Sequence, residues 1–163
     1  MTATFTLPPV RKSVRVAVTP ARAFELFTTG MHGWWPASHS LLKSPRQAIV
    51  MEPRPGGRWY ERGADNSECT WGKVLAWEPP GRALLAWQLN GAWVYDPEFL
   101  TEVEIRFIPD GDRATRVELE HRNLERYGDD AAKIREAMDS GDAWPLVLQQ
   151  FVEYVGKSEG IGG

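Results

Sequence analysis

The sequence predicts an α+β fold in which a curved antiparallel sheet of about six to seven strands wraps around one long C-terminal helix. Three observations carry this. Up to His121 the chain is dominated by short runs of alternating apolar and polar residues, separated by turn-forming pairs. Strands joined by hairpin-length turns pair antiparallel, because a parallel pair needs a much longer crossover. After His121 the pattern turns helical: Trp144, Val147, Leu148, Phe151 and Val155 fall at 0, +3, +4, +7 and +11. A single amphipathic helix has to bury that stripe, and the sheet supplies the surface.

The elements follow in order. Arg11 to Val18 alternates Val14, Val16 and Val18 against Arg15 and Ala17, a half-buried strand. Thr19 is an N-cap residue and Pro20 suits the first helical position, so a short helix carries Phe24 and Phe27 and stops near Gly30. Met31 to Pro36 is a short aromatic element interrupted by Gly33 and Pro36. Strands are expected over Ala48 to Met51, Arg58 to Arg62, Glu68 to Trp77, and Ala83 to Leu89. Asn90-Gly91 reads as a tight hairpin turn. In Phe99 to Phe107 the residues Phe99, Thr101, Val103, Ile105 and Phe107 share one face; in Thr115 to His121 Val117, Leu119 and His121 do so. A short helix to Asp139 precedes the long one, expected from about Asp142 to Val155. The Gly-rich tail from Gly156 to Gly163 is expected to fray.

Composition narrows the function. At 163 residues the chain is expected to form one domain. Lys plus Arg number 19 against 22 Asp plus Glu, and a net charge of −3 argues against a nucleic-acid surface. A single cysteine, Cys69, precludes an intramolecular disulfide and suits a reducing cytoplasm. No signal peptide is read in Met1 to Val10, and no run is long and apolar enough to span a membrane. A monomer or homodimer is expected. Eight tryptophans are the outstanding compositional feature.

Several motifs, in this order, resemble the SRPBCC superfamily. They are Val16-Ala17-Val18-Thr19-Pro20-Ala21-Arg22-Ala23-Phe24, Trp34-Trp35-Pro36, and Pro55-Gly56-Gly57-Arg58-Trp59. Trp71-Gly72-Lys73-Val74, Glu78-Pro79-Pro80, Trp87, Glu118-Leu119-Glu120-His121 and Trp144-Pro145 complete the set. Within the superfamily the chain is similar to the branch related to the activator of heat-shock-protein ATPase. Ala143-Trp144 stands where such relatives often carry Gly-Trp. The resemblance implies the helix-grip fold of START and birch-pollen-allergen-like proteins, with a cavity between sheet and helix for small apolar or lipid-like ligands. Fold likeness does not fix a reaction.

Ligand cavities are mostly apolar and aromatic. Trp71, Trp87 and Trp93 lie on or beside central strands, and Trp34 and Trp35 lie on the element that the resemblance places over the cavity entrance. These five and the inward-facing His121 are the candidate ligand-binding residues. Core packing competes for about half of the tryptophans, and Trp144 reads as helix core. Trp59 and Trp77 sit near strand ends without an assigned role. His121 would be the acid or base if the protein is an enzyme, with Tyr95 or Glu61 as partner; the competing and favoured reading has it bonding a loop backbone at its strand end. Arg58, Tyr60 and Arg62 are expected to face solvent.

Metal and cofactor chemistry find no support. His32, His39, Cys69 and His121 match no zinc spacing. Gly156-Lys157-Ser158 ends a helix and lacks the upstream glycine of a phosphate loop. No Gly-x-Ser-x-Gly elbow occurs, and Cys69 reads as an inert strand residue. Three functions stand in order: binding of a small apolar or aromatic molecule, gated by His32 to Pro36; a cyclase, dehydratase or hydrolase using His121; and stimulation of a chaperone ATPase.

Overall fold

The computed structural model describes residues 6–158. Seven strands form one antiparallel sheet: β1 (Val10–Val16), β2 (Arg46–Met51), β3 (Arg58–Gly63), β4 (Glu68–Glu78), β5 (Arg82–Trp87), β6 (Thr101–Pro109) and β7 (Thr115–Arg122). Their spatial order is β1-β7-β6-β5-β4-β3-β2. Every step after β2 is therefore a neighbour-to-neighbour hairpin, and β1 closes the sheet against β7. Helix α1 (Pro20–Phe27) follows β1, α2 (Ala131–Asp139) follows β7, and α3 (Trp144–Ser158) ends the described chain. This is the α+β helix-grip arrangement that the sequence predicts.

Local chemistry accounts for the elements. Thr19 caps α1 by accepting from the Arg22 amide at 3.3 Å, and Pro20 occupies the first turn. The stripe on α3 is buried throughout: Trp144, Val147, Leu148, Phe151 and Val155. β7 alternates as expected, with Thr115, Val117, Leu119 and His121 inside. The outer face of β5, β6 and β7 carries an arginine–glutamate network, with Arg82 on Glu104 at 2.5 Å and Arg122 on Glu102 at 2.9 Å. β4 and β5 approach so closely at Gly72 that a Cβ there would run into the carbonyl oxygen of Ala86. Arg58, Tyr60 and Arg62 face outward, the Arg58 guanidinium lying 4.0 Å over the Tyr60 ring.

Beyond shifts of one or two residues at strand ends, such as β1 and β5 ending at Val16 and Trp87, three features differ from the sequence reading. Asn90-Gly91 is not a two-residue hairpin. The Asn90 side chain instead accepts from the amides of Ala92 and Val94, and a Leu89–Tyr95 bridge opens a long loop between β5 and β6. Phe99 consequently lies outside β6, and its ring packs 4.7 Å from that of Tyr127. Gly156 to Ser158 continue α3 instead of fraying. The rest of the expected tail, and the first half of the Met1 to Val10 segment, lie outside the described residues.

Candidate functional site

A cavity of about 470 Å³ opens where the start of α3 meets β4 and β5. Its strand wall is Trp71 from β4 and Trp87 from β5, and Trp93 from the β5–β6 loop stands at the mouth. Trp144 and Val147 of α3, with Met138 of α2, form the helical side. Trp35 and the irregular segment Ser38 to Leu41 close the remaining side.

The indoles are held by their N–H groups. Trp35 Nε1 donates to the His39 carbonyl at 3.2 Å, and Trp71 Nε1 donates to a Glu61 carboxylate oxygen at 2.8 Å. Trp144 Nε1 donates to His121 Nδ1 at 3.1 Å. The rings then pack on one another at fixed angles. Trp35 lies 5.3 Å from Trp71 and 6.1 Å from Trp144, and Trp87 lies 5.7 Å from Trp144. Trp59 fills the space behind them, 5.5 Å from Trp71 and 5.9 Å from Trp87.

Glu61 is fully buried on β3 beside Trp59. Besides Trp71, its carboxylate accepts from the Ser40 hydroxyl at 2.5 Å and the Leu41 amide at 2.9 Å. One buried carboxylate thus holds both a wall ring and the loop that closes the cavity. Arg46 fastens the same loop from its far end, donating to the carbonyls of Trp35 and Pro36 at 2.7 and 3.1 Å.

His121 is also fully buried. Its Nδ1 accepts from Trp144, so Nε2 carries the proton and donates to Thr101 Oγ1 at 2.8 Å. Burial pushes the imidazole down to about 3, so it is neutral near pH 7. Both ring nitrogens are engaged by side chains, and the ring is behind the cavity wall rather than in it.

Comparison with known proteins now places the chain. The family model described as Activator of Hsp90 ATPase homolog 1-like protein, AHSA1, matches residues 1–156. The chain belongs to the AHSA1 family. An anthrahydroquino-γ-pyrone synthase, Txn09, is 40% identical, with a TM-score of 0.65 over 91% of this chain and 97% of that one. CalC of Micromonospora echinospora, a self-sacrificing resistance protein, is 33% identical, with a TM-score of 0.71 over 93% and 96%. Protein NE0264 of Nitrosomonas europaea shares the fold at 16% identity and a TM-score of 0.66, covering 93% and 96%. No curated protein matches the sequence.

In this AHSA1 chain the residues picked from the sequence separate. Trp35, Trp71, Trp87 and Trp93 come together around the cavity. Trp34 does not: its Nε1 donates to the Leu26 carbonyl at 2.9 Å, and its ring packs between Phe27 and Phe151. His121 bonds two side chains and not a loop backbone, and it meets neither Tyr95 nor Glu61 in a hydrogen bond. Tyr95 stands on the exposed loop. Trp144 is both helix core and cavity wall. Trp59 is a buried centre of the tryptophan cluster rather than a strand-end residue without a role, and Trp77 packs edge-on against Phe24 at 4.9 Å. Of the expected His32 to Pro36 element only Trp35 lines the cavity, beside Ser38 to Leu41; His32 is exposed and off the lining. The lining also brings in His39 and Asp142, which no motif marked.

Cys69 is free and half-buried, and burial, with Glu61 second, pushes its thiol up. Among the described residues no group of three or more His, Cys, Asp or Glu is placed to hold a metal. No described helix is long and apolar enough to cross a membrane.

Proposed function

We propose that the protein binds a small, flat aromatic molecule in the tryptophan-lined cavity, as a cytoplasmic monomer or homodimer. The observation that carries the reading is a 470 Å³ space walled by five indoles, a size and character typical of small-molecule sites. The 40% identity to a synthase named for a fused-ring product supports the ligand class. The lone thiol, Cys69, supports a reducing compartment.

Titrating the protein with 2-(hydroxymethyl)anthraquinone should quench tryptophan fluorescence saturably. Ala143→Trp places a large ring at the edge of the lining and should abolish that quenching with the fold intact by circular dichroism. Linear, non-saturating quenching in the unsubstituted protein would sink the proposal.

A second reading, an enzyme acting on the same ligand class, is favoured by the identity to that synthase. His121 does not support it, because the ring is sealed behind Trp144 and Trp87. His39 and Asp142 are the titratable side chains on the lining. Recovery of a bound substrate candidate unchanged, by chromatography and mass, separates a binder from a catalyst. The chaperone-ATPase reading rests on the family description alone.

A further inference from the structure

The cavity wall has an electronic character set by where its donor groups point. An indole donates hydrogen bonds along one edge only, while its faces carry the negative side of the ring quadrupole. Trp35, Trp71 and Trp144 have that edge engaged by the His39 carbonyl, the Glu61 carboxylate and His121 Nδ1. The Trp87 Nε1 is buried without a hydrogen-bond partner, and Trp93 stands half exposed at the mouth. Three of the five rings therefore offer a ligand only carbon and π surface.

Two further facts remove donors and add negative charge. Among the described residues no lysine or arginine lines the cavity, and Asp142 does. The Ser40 and Ser140 hydroxyls, also on the lining, donate to Glu61 and to the Ala137 carbonyl, which leaves Ser38 and His39 as the remaining donor-bearing polar side chains there. A carboxylate accepting from an indole N–H also pushes electron density into the ring, so Glu61 makes Trp71 a better π donor.

We infer that the cavity selects planar, electron-poor rings carrying no negative charge, of the quinone type, and rejects anionic ligands of equal apolar area. This rests on the ligand-binding reading above. The desolvation of an anion finds no cation and few free donors to offset it, whereas an electron-poor ring is complementary to indole faces.

Three probes of one ring skeleton test it on the unsubstituted protein: 2-(hydroxymethyl)anthraquinone, anthraquinone-2-sulfonate and 2-(hydroxymethyl)anthracene. The neutral quinone should bind with a new long-wavelength absorption band, the signature of indole-to-quinone charge transfer. The sulfonate should bind about tenfold or more weaker, as one mispaired charge would give. The anthracene should bind more weakly than the neutral quinone and without the band. Equal affinity for the sulfonate overturns the charge selection and leaves the cavity reading standing. Equal affinity for the anthracene, or no band with the quinone, overturns the electronic selection in the same way. No saturable binding by any of the three overturns the cavity reading and this inference with it.

Discussion

Where α1 packs against β6 and α3, Phe24, Phe27, Phe107 and Phe151 meet edge-to-face at 5.0 to 5.8 Å, joined by Trp34. Where the start of α3 meets β4 and β5, five tryptophans surround about 470 Å³ of open space. Both regions are aromatic, so aromatic content alone does not separate a packed core from a cavity. The difference is in the polar handles. Phenylalanine has no hydrogen-bonding group, and its ring moves until the gap is filled. Trp71 and Trp144 are tied by Nε1 to Glu61 and His121 off the lining, and Trp35 to the His39 carbonyl of the closing segment, so collapse inward would leave buried donors unpaired.

The largest effect expected from this contrast is at the packed end. Phe151→Ala removes a ring that touches both Phe27 and Trp34. It should lower stability by ~3–5 kcal/mol, as fully buried Phe→Ala changes do, measured by urea unfolding. Probe affinity of the folded fraction should stay near its original value. A Phe151→Ala protein that keeps its stability but loses binding would show that the two regions are one.

Acid should act on the hollow end through His121. Its folded pKa of about 3 lies below the ordinary 6.5, so below pH 6.5 the unfolded chain takes a proton that the folded chain refuses. Stability from this group is therefore full above pH 6.5 and is lost as pH falls toward 3. The slope approaches ~1.4 kcal/mol per pH unit within that window. Between pH 6.5 and 5 the lowered carboxylates, such as Asp65 and Glu104, contribute little, because their unfolded forms titrate lower still. Denaturant midpoints over that interval should fall more steeply in the parent than in His121→Gln, which keeps only the slope from His32, whose imidazole burial and then Arg46 also push down. Equal slopes in both would show that His121 is not sealed as described.

Much of the fold was legible because alternation and stripe periodicity report burial directly. Val117, Leu119, His121 and the α3 stripe are inside as their spacing required. The loop after Asn90 was not legible, since a side chain bonding two amides overrode the hairpin signal of Asn-Gly. Within the site, the strand-borne rings Trp71 and Trp87 followed from strand position. The burial of Glu61 is legible from alternation: with Arg58, Tyr60 and Arg62 facing outward, Trp59 and Glu61 must face inward. His39 and Asp142 lie on irregular segments where no period exists, and only three-dimensional packing brings them to the lining.

The smallest expected change in stability is at Trp93, and its sign is reversed. Trp93 holds φ at +61°, a left-handed conformation that disfavours a bulky side chain, and the residue is 49% exposed. Its ring meets Trp87 edge-on at 6.3 Å, and its amide donates to the Asn90 carbonyl at 2.9 Å. A residue that is strained and half in water contributes little to folding. Trp93→Gly relieves the backbone, worth ~1 kcal/mol before the greater freedom of the unfolded glycine is subtracted. Thermal unfolding should therefore shift upward slightly or not at all, while affinity for the neutral quinone falls several-fold through loss of one wall. That split, stability kept and binding lost, is what a cavity-mouth residue gives and a core residue does not. Marked destabilisation by Trp93→Gly would place Trp93 with the packed phenylalanines and erase the boundary between the two regions.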